Sequence, residues 1–140
     1  MVLEAIADHK ARFWHCNFGL PGTLNDVNVL DRSPLFENVV RGEAPAVDFV
    51  VNGNEYNFGY WLADGIYPKY ACIVKTFPRP VKRMQKLFAS AQEAKRKDIE
   101  MAVGILQARF HTLTTGCWLW YREDAKAIMK ACVILHNLII

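Results

Sequence analysis

The run YWLAD at residues 60–64 is short, largely apolar and ends in a carboxylate that is followed at once by Gly65. An apolar run of this length, bounded by a turn signal, is typical of a buried strand. A charged side chain is costly to bury unless it is paired, so Asp64 is expected at the strand end. In open α/β folds, ligands bind at the carboxyl ends of such strands. This segment therefore favours a sheet covered by helices, with Asp64 at its functional edge.

Two strand-like runs open the chain. VLEAIAD at residues 2–8 and RFWHCNF at 12–18 are rich in β-forming residues and lie on either side of the polar break DHKA. They predict a hairpin. GLPGT at residues 19–23 predicts a loop because of its Gly and Pro content.

The middle of the chain alternates between helix and strand signals. Residues 24–42 predict two short helices that end at Gly42, the second beginning at Ser33-Pro34, an N-cap followed by proline. Residues 43–59 contain short β-like pieces around an Asn-Gly turn signal. ACIVKTF at residues 71–77 predicts another strand after the apolar run that ends at Asp64.

The last third of the chain is dominated by helix patterns. From about Val81 to Phe110 the sequence is rich in Ala, Lys, Gln, Glu and Arg and predicts one long helix. Ile99, Val103, Leu106 and Phe110 form an apolar stripe along it. HTLTTG breaks this pattern, and residues 122–139 predict a final helix with its acids in the first turn. The predicted fold class is therefore α/β, a mixed sheet with packed helices.

Composition excludes several classes of protein. The chain has 140 residues, 52% of them hydrophobic and 22% charged, which suits one soluble domain with a core. No run approaches the roughly 18 apolar residues of a membrane span, and the N-terminus does not resemble a secretory signal. The four cysteines have no C-x-x-C pair or zinc-ligand spacing, which favours reduced thiols in an intracellular compartment. The apolar C-terminal run CVILHNLII predicts that the chain is part of a longer domain.

Three acids are the candidate chemical residues, and each has a structural alternative. Asp26 follows a Pro-Gly loop at the start of a helix, where it or Asn25 is an alternative N-cap. Asp64 precedes Gly65 and is alternatively a turn residue. Glu100 lies on the long helix and is alternatively a solvated helix residue.

Carboxylates from a strand end and a facing helix have a common use if they converge. Oxygen ligands of this kind bind Mg²⁺ or Mn²⁺. Two such ions about 3.5–4 Å apart activate a water and stabilise the leaving oxygen of a phosphodiester. Lys95, Arg96 and Lys97 near Glu100 would then contact DNA phosphates. The net charge of +3 mildly favours anionic partners.

Four separated segments, in the same order, closely resemble motifs of the PIF/Harbinger transposase-derived DDE nucleases: FGLPGTLNDVNVLDRSPLF, YWLADGIYP, AQEAKRKDIEMAVGILQARF and ACVILHNLII. The resemblance extends from about Leu3 to Ile139. It implies an RNase H-like fold and divalent-metal-dependent cleavage of DNA. It assigns Asp64 and Glu100 as catalytic metal ligands and Asp26 as a third acidic position in the metal site.

The chain departs from the family pattern at two places. The family's first catalytic aspartate precedes the hairpin in a segment that this chain lacks, so residues 1–140 are expected to be a partial nuclease domain, incomplete at the N-terminus and catalytically impaired. Asp8 is the only early candidate and is interpreted as a turn residue. Met101 stands where relatives commonly carry an arginine. The loss of that guanidinium is expected to weaken pairing with phosphate or carboxylate groups. The resemblance likewise leads us to expect no counterpart of the family's N-terminal helix-turn-helix region within residues 1–140.

Two further functions remain open beside the nuclease. One is a domesticated, non-catalytic binding module in a nuclear chromatin complex, and the other is a truncated inactive fragment. The resemblance implies DNA and a separate Myb-like DNA-binding protein as partners, no membrane, and a nuclear location with the cytoplasm as alternative. His136 in the LHN motif is interpreted as a satisfied structural residue. Trp61, Trp118 and Trp120 are interpreted as core or partner-surface aromatics.

Overall fold

The computed structural model describes residues 2–20, 33–43, 45–65, 67–115 and 121–140. The chain divides into two compact units. The end-segment unit combines Met1–Leu24 with Ala94–Ile140, and the middle unit is Asn25–Glu93. The expected first helix after residue 23, with Asp26, lies outside the described residues, as do Trp118 and Trp120.

The described elements alternate between strands and helices along the chain. In order they are β1 (Val2–Ala7), β2 (Phe13–Leu20), α1 (Pro34–Val40), β3 (Ala46–Val51), β4 (Asn54–Phe58), β5 (Trp61–Ala63), β6 (Ile73–Lys75), α2 (Arg83–Arg96), α3 (Asp98–Arg109), a 3₁₀ turn (His111–Leu113) and α4 (Arg122–Ile139).

The end-segment unit is built on the predicted hairpin. β1 and β2 pair antiparallel, and α3 and α4 cover them with a shared apolar core of Ala11, Phe13, Ala102, Leu106, Cys132 and Val133. The predicted stripe is confirmed, because Leu106 is buried and Ile99, Val103 and Phe110 pack against this core. The final helix has the predicted bounds.

The middle unit contains two small strand pairs. β3 and β4 form an antiparallel hairpin around Asn52 and Gly53, both with positive φ, as the Asn-Gly signal predicts. β5 and β6 pair in parallel over three residues each, fewer than predicted for either strand. α1 begins as predicted, with the Ser33 hydroxyl accepting a hydrogen bond from the Phe36 amide.

Two predictions about the fold need correction. The pattern from 81 to 110 forms two helices, because the chain turns at Lys97 between α2 and α3. The strands of the described residues form three separate two-stranded sheets in place of one mixed sheet. What is observed is a mixed α/β arrangement with small sheets and several helices. No helix among the described residues is long and apolar enough to cross a membrane.

Candidate functional site

Asp64 lies where the sequence analysis expects it, directly after β5. Its side chain is exposed, and its Oδ1 accepts a hydrogen bond from the Gly65 amide at 2.6 Å. The Tyr67 amide donates to the Asp64 carbonyl at 3.3 Å, so the residue also opens a turn. The Lys75 ammonium donates to the Tyr67 carbonyl, which brings a positive charge to this turn. Asp64 therefore combines the turn role of the structural alternative with a solvent-facing carboxylate.

Gln92 on α2 secures the strand that leads to Asp64. Its Nε2 donates to the Ala63 carbonyl at 3.0 Å and to the Val74 carbonyl at 3.1 Å. The side chain is buried although most of α2 is exposed. Sequence reasoning missed this residue, because a glutamine in a helix-forming run carries no local signal of a tertiary role.

Glu100 lies in the first turn of α3, where a negative charge favours the helix N-terminus. Its carboxylate is exposed and accepts a hydrogen bond from Arg96 at 3.2 Å, one helical turn earlier. An exposed pair of this spacing contributes only about 0.3–0.5 kcal/mol. The geometry thus matches the solvated-helix alternative, while the pair shows that Glu100 already interacts with a cation.

The predicted DNA-contacting residues lie at the junction of α2 and α3. Lys95 and Arg96 end α2, and Lys97 occupies the turn before α3. Lys95 and Lys97 are exposed, whereas Arg96 is partly buried and bonded to Glu100.

The predicted three-acid site is only partly within the described residues. Asp26 lies outside them, Asp64 belongs to the middle unit and Glu100 belongs to the end-segment unit. In the part of the chain that the structure describes, no group of three or more His, Cys, Asp or Glu side chains is arranged to hold a metal ion. The shared metal site therefore stays a prediction.

His136 is confirmed as a satisfied structural residue. It is fully buried, its Nε2 lies 2.8 Å from the Ala11 carbonyl and its Nδ1 lies 3.3 Å from Arg109 Nη1. The ring also makes an edge contact with Phe13 at 5.3 Å between centroids. Every polar atom of the imidazole thus has a partner within the protein, which leaves none for a metal.

Asn137, next to His136, was not identified from the sequence. Its side chain accepts from the Phe13 amide at 3.0 Å and donates to the Phe13 carbonyl at 2.8 Å. It therefore bonds to the first residue of β2 as a neighbouring strand would. Together His136 and Asn137 of the LHN motif attach α4 to the β1–β2 hairpin, so the motif has a structural role.

The described elements establish the structural class of the protein, and the family follows from comparison with known proteins. This is a mixed α/β protein with small sheets and several helices, and it exposes one acid at a strand end and another on a helix. The chain belongs to the plant transposon protein family, whose model matches residues 1–140. It is thus related to transposases by descent.

A curated relative agrees with this family. The chain is 26% identical over 148 residues to "Protein ALP1-like" of Arabidopsis thaliana. The match covers 100% of this chain and 35% of the relative, so the chain spans about a third of that protein's length. No solved structure matches the chain.

Proposed function

We propose that this chain is part of a transposase-derived nuclease domain of the PIF/Harbinger DDE type, with an RNase H-like fold, that acts on DNA phosphodiesters with a divalent metal. The family supports a transposase origin. The observation that carries the proposal is Asp64, an exposed carboxylate at the end of a short strand within the Leu-Ala-Asp motif. Because the chain spans 35% of its curated relative, the activity of the whole protein is part of the proposal.

The donor chemistry of the two described acids fits Mg²⁺ or Mn²⁺. Both are carboxylates, and hard divalent ions prefer oxygen ligands. Asp64 engages Oδ1 with a backbone amide and is otherwise exposed. Glu100 engages Oε1 with Arg96. Asp64 and Glu100, with Asp26, would hold the ion, which when bound supplies water activation and stabilisation of the leaving oxygen.

The residues around these acids have their own tasks. Lys95 and Lys97 are exposed cations that would hold phosphate oxygens of the DNA backbone. Arg96 offsets the charge of Glu100 in the metal-free protein, so metal binding is expected to compete with this ion pair.

A direct test measures Mn²⁺ binding by the 140-residue chain and nicking of duplex DNA. The changes are Asp64→Asn and Glu100→Gln, which remove one charge each and keep side-chain shape. The matched controls are Asp48→Asn in β3 and Asp98→Asn in the first turn of α3. Loss of Mn²⁺ binding in both site variants, with binding kept in both controls, supports the proposal. A folded wild-type chain that binds no Mn²⁺ contradicts it.

A non-catalytic DNA- or protein-binding module is the second candidate. The exposed Lys95 and Lys97 favour it, because cations on the surface contact phosphates without a metal. This module would keep salt-dependent DNA binding through Lys95 and Lys97 without Mn²⁺. Lys95→Ala with Lys97→Ala should then lower DNA affinity and flatten its salt dependence, whereas Lys130→Ala on the exposed surface of α4 should do neither. An inactive, poorly folded fragment would instead lack cooperative unfolding.

The cellular setting is also proposed. Basic runs at residues 82–86 and 95–97 and a net charge of +3 favour anionic partners, in keeping with DNA and a nuclear location. A separate Myb-like DNA-binding protein is the proposed partner, by analogy with the family that the motifs resemble.

A further inference from the structure

Gln92 is the one polar side chain of α2 that is buried, at 4% exposure. Its amide nitrogen donates to two carbonyls, Ala63 O at 3.0 Å and Val74 O at 3.1 Å. One carbonyl belongs to β5 and the other to β6. A single amide group therefore joins the two strands near their carboxyl ends.

Few hydrogen bonds hold the ends of this strand pair: the Trp61 amide donates to the Cys72 carbonyl at 2.8 Å at the amino end, and the Lys75 ammonium donates to the Tyr67 carbonyl beyond the carboxyl end. β5 and β6 pair over only three residues, Trp61 to Ile73, Leu62 to Val74 and Ala63 to Lys75. A parallel pair is slightly weaker per residue than an antiparallel one, and short isolated pairs are marginal. At the carboxyl end, the two bonds from Gln92 are the ones that join β5 directly to β6 through a side chain of α2.

The orientation of the Gln92 amide follows from its partners. Two carbonyl acceptors require the NH₂ group to face them, because the reverse orientation places oxygen against oxygen. Its own Oε1 is buried and finds no hydrogen-bond partner among the described residues. An unpaired buried acceptor costs about 1–3 kcal/mol. The two donor bonds of Gln92 therefore form even though burial of its unpaired Oε1 is unfavourable.

The Ala63 carbonyl is the point at which this bond reaches the candidate site. That carbonyl and the Asp64 amide belong to the same planar peptide group. A hydrogen bond that holds the carbonyl also restricts rotation of the plane and hence the direction in which Asp64 leaves the strand. Loss of a group that hydrogen-bonds a metal ligand directly typically lowers metal affinity about 10–100-fold. Gln92 is one peptide group further from the carboxylate, so its loss is expected to fall at or below the lower end of that range.

We propose that Gln92 is a positioning residue for the Asp64 carboxylate. It acts through the Ala63–Asp64 peptide and does not touch a metal or substrate itself. Its role in metal binding rests on the proposed function, whereas its control of the Asp64 conformation rests on the hydrogen bonds alone.

The experiment compares Gln92→Met with Gln85→Met in the 140-residue protein. Gln85 is a matched control on the same helix, because its Oε1 accepts from the Val81 and Lys82 amides and so supports the helix start. Both substitutions keep side-chain length and lose backbone hydrogen bonds. Mn²⁺ affinity is measured at a temperature at which both variants are folded. The backbone amide resonance of Asp64 is followed by NMR in the metal-free proteins.

Gln92→Met is expected to weaken Mn²⁺ binding by up to about tenfold and to shift or broaden the Asp64 amide resonance. Gln85→Met is expected to change neither, although it also lowers stability. An unchanged Asp64 resonance in Gln92→Met overturns the proposal. If the wild-type protein binds no Mn²⁺ while the Asp64 resonance responds to Gln92→Met, the proposed function fails and the positioning role stands.

A measurement on the wild-type protein covers the case in which Gln92→Met does not fold. The side-chain NH₂ protons of Gln92 should exchange with solvent far more slowly than those of exposed Gln107 on α3. Equal exchange rates for the two side chains overturn the proposal without any substitution.

Discussion

Asp8 holds the turn between β1 and β2 through one carboxylate. Oδ1 accepts from the Lys10 amide at 2.8 Å and from the Arg12 amide at 3.1 Å, and Oδ2 accepts from the Trp14 indole at 2.9 Å. The Trp14 hydrogen bond, helped by the two amides, lowers the pKa of Asp8 from its ordinary value. Ala11 in the same turn has a φ of 62°, a conformation that needs support. The interpretation of Asp8 as a turn residue is confirmed.

Replacement of Asp8 by Asn should give a pH-dependent loss of stability. Asparagine places an NH₂ group where one of the acceptor oxygens was, and at neutral pH we expect a loss of about 1 kcal/mol. Because the folded-state pKa is lowered, the carboxylate stabilises the fold above its ordinary pKa of 3.8 and loses this effect as the pH falls through the lowered value. Urea unfolding at several pH values measures the difference between the two proteins.

The stability difference should be full near pH 7 and should close in strong acid. Asp48→Asn, an exposed aspartate of β3, controls for general charge effects. A difference that stays constant from neutral pH to below the lowered pKa of Asp8 would contradict the argument.

The role of a single residue is predictable from the sequence when its partners lie only a few positions away along the chain. Asp8 and Ser33 act on amides a few positions away, so a turn or cap pattern reveals them. His136 was predicted to be structural because it lies on an apolar helix, although its partner Ala11 O is far away in sequence. Gln92 and Asn137 were missed, because each bonds to backbone atoms in a distant strand.

At the level of elements, the sequence predicted the positions of turns and helix ends better than it predicted the lengths of strands. The Asn-Gly turn located the β3–β4 hairpin, and the acids of the first turn located the start of α4. β5 and β6 are shorter than the apolar runs that predicted them, because a strand extends only as far as its partner pairs with it.

The break between α2 and α3 carries no local signal. Neither proline nor glycine is present at Lys97, and the flanking residues are good helix formers. The two helices bury different residues: Ala102 and Leu106 of α3 belong to the core of the end-segment unit, whereas Ala89 and Gln92 of α2 lie in the middle unit. Tertiary packing therefore overrides helix propensity here, and no reading of the local sequence supplies that information.

Leu106 on α3 should be much more sensitive to truncation than its neighbour. Leu106 is 1% exposed in the core of the end-segment unit, whereas Ile105 is 37% exposed on the same helix. We expect Leu106→Ala to cost about 2–4 kcal/mol through lost contacts and a cavity, and Ile105→Ala to cost about 1 kcal/mol or less. Urea unfolding followed by helical circular dichroism measures both. Equal losses for the two variants would show that the face of α3 is assigned wrongly.

At the scale of the whole molecule, the sequence predicted the class of the chain better than its division. Mixed strand and helix patterns indicated an α/β protein, and four motifs pointed to a transposase-related family, which the family match bears out at that coarser level. The two compact units were not foreseen, because the end-segment unit is discontinuous in sequence. Its core joins residues from both ends, such as Phe13 and Val133, and long-range pairing of this kind leaves no local pattern.

The two units should differ in local stability. The buried cluster that contains Phe13, Leu106 and Val133 lies entirely in the end-segment unit. In the middle unit, β3 and β4 are exposed at every position except Phe49, and α2 leaves Met84 74% exposed.

Native-state amide hydrogen exchange measures the free energy of opening for each element. Because few apolar side chains hold them, β3, β4 and the first turns of α2 should open at lower free energy than β1, β2, α3 and α4. Destabilisation by Leu106→Ala should then speed exchange in β1, β2 and α4 and leave β3 and β4 little changed. One opening free energy common to all these elements, in the wild-type protein and in Leu106→Ala alike, would mean that the molecule unfolds as a single cooperative block.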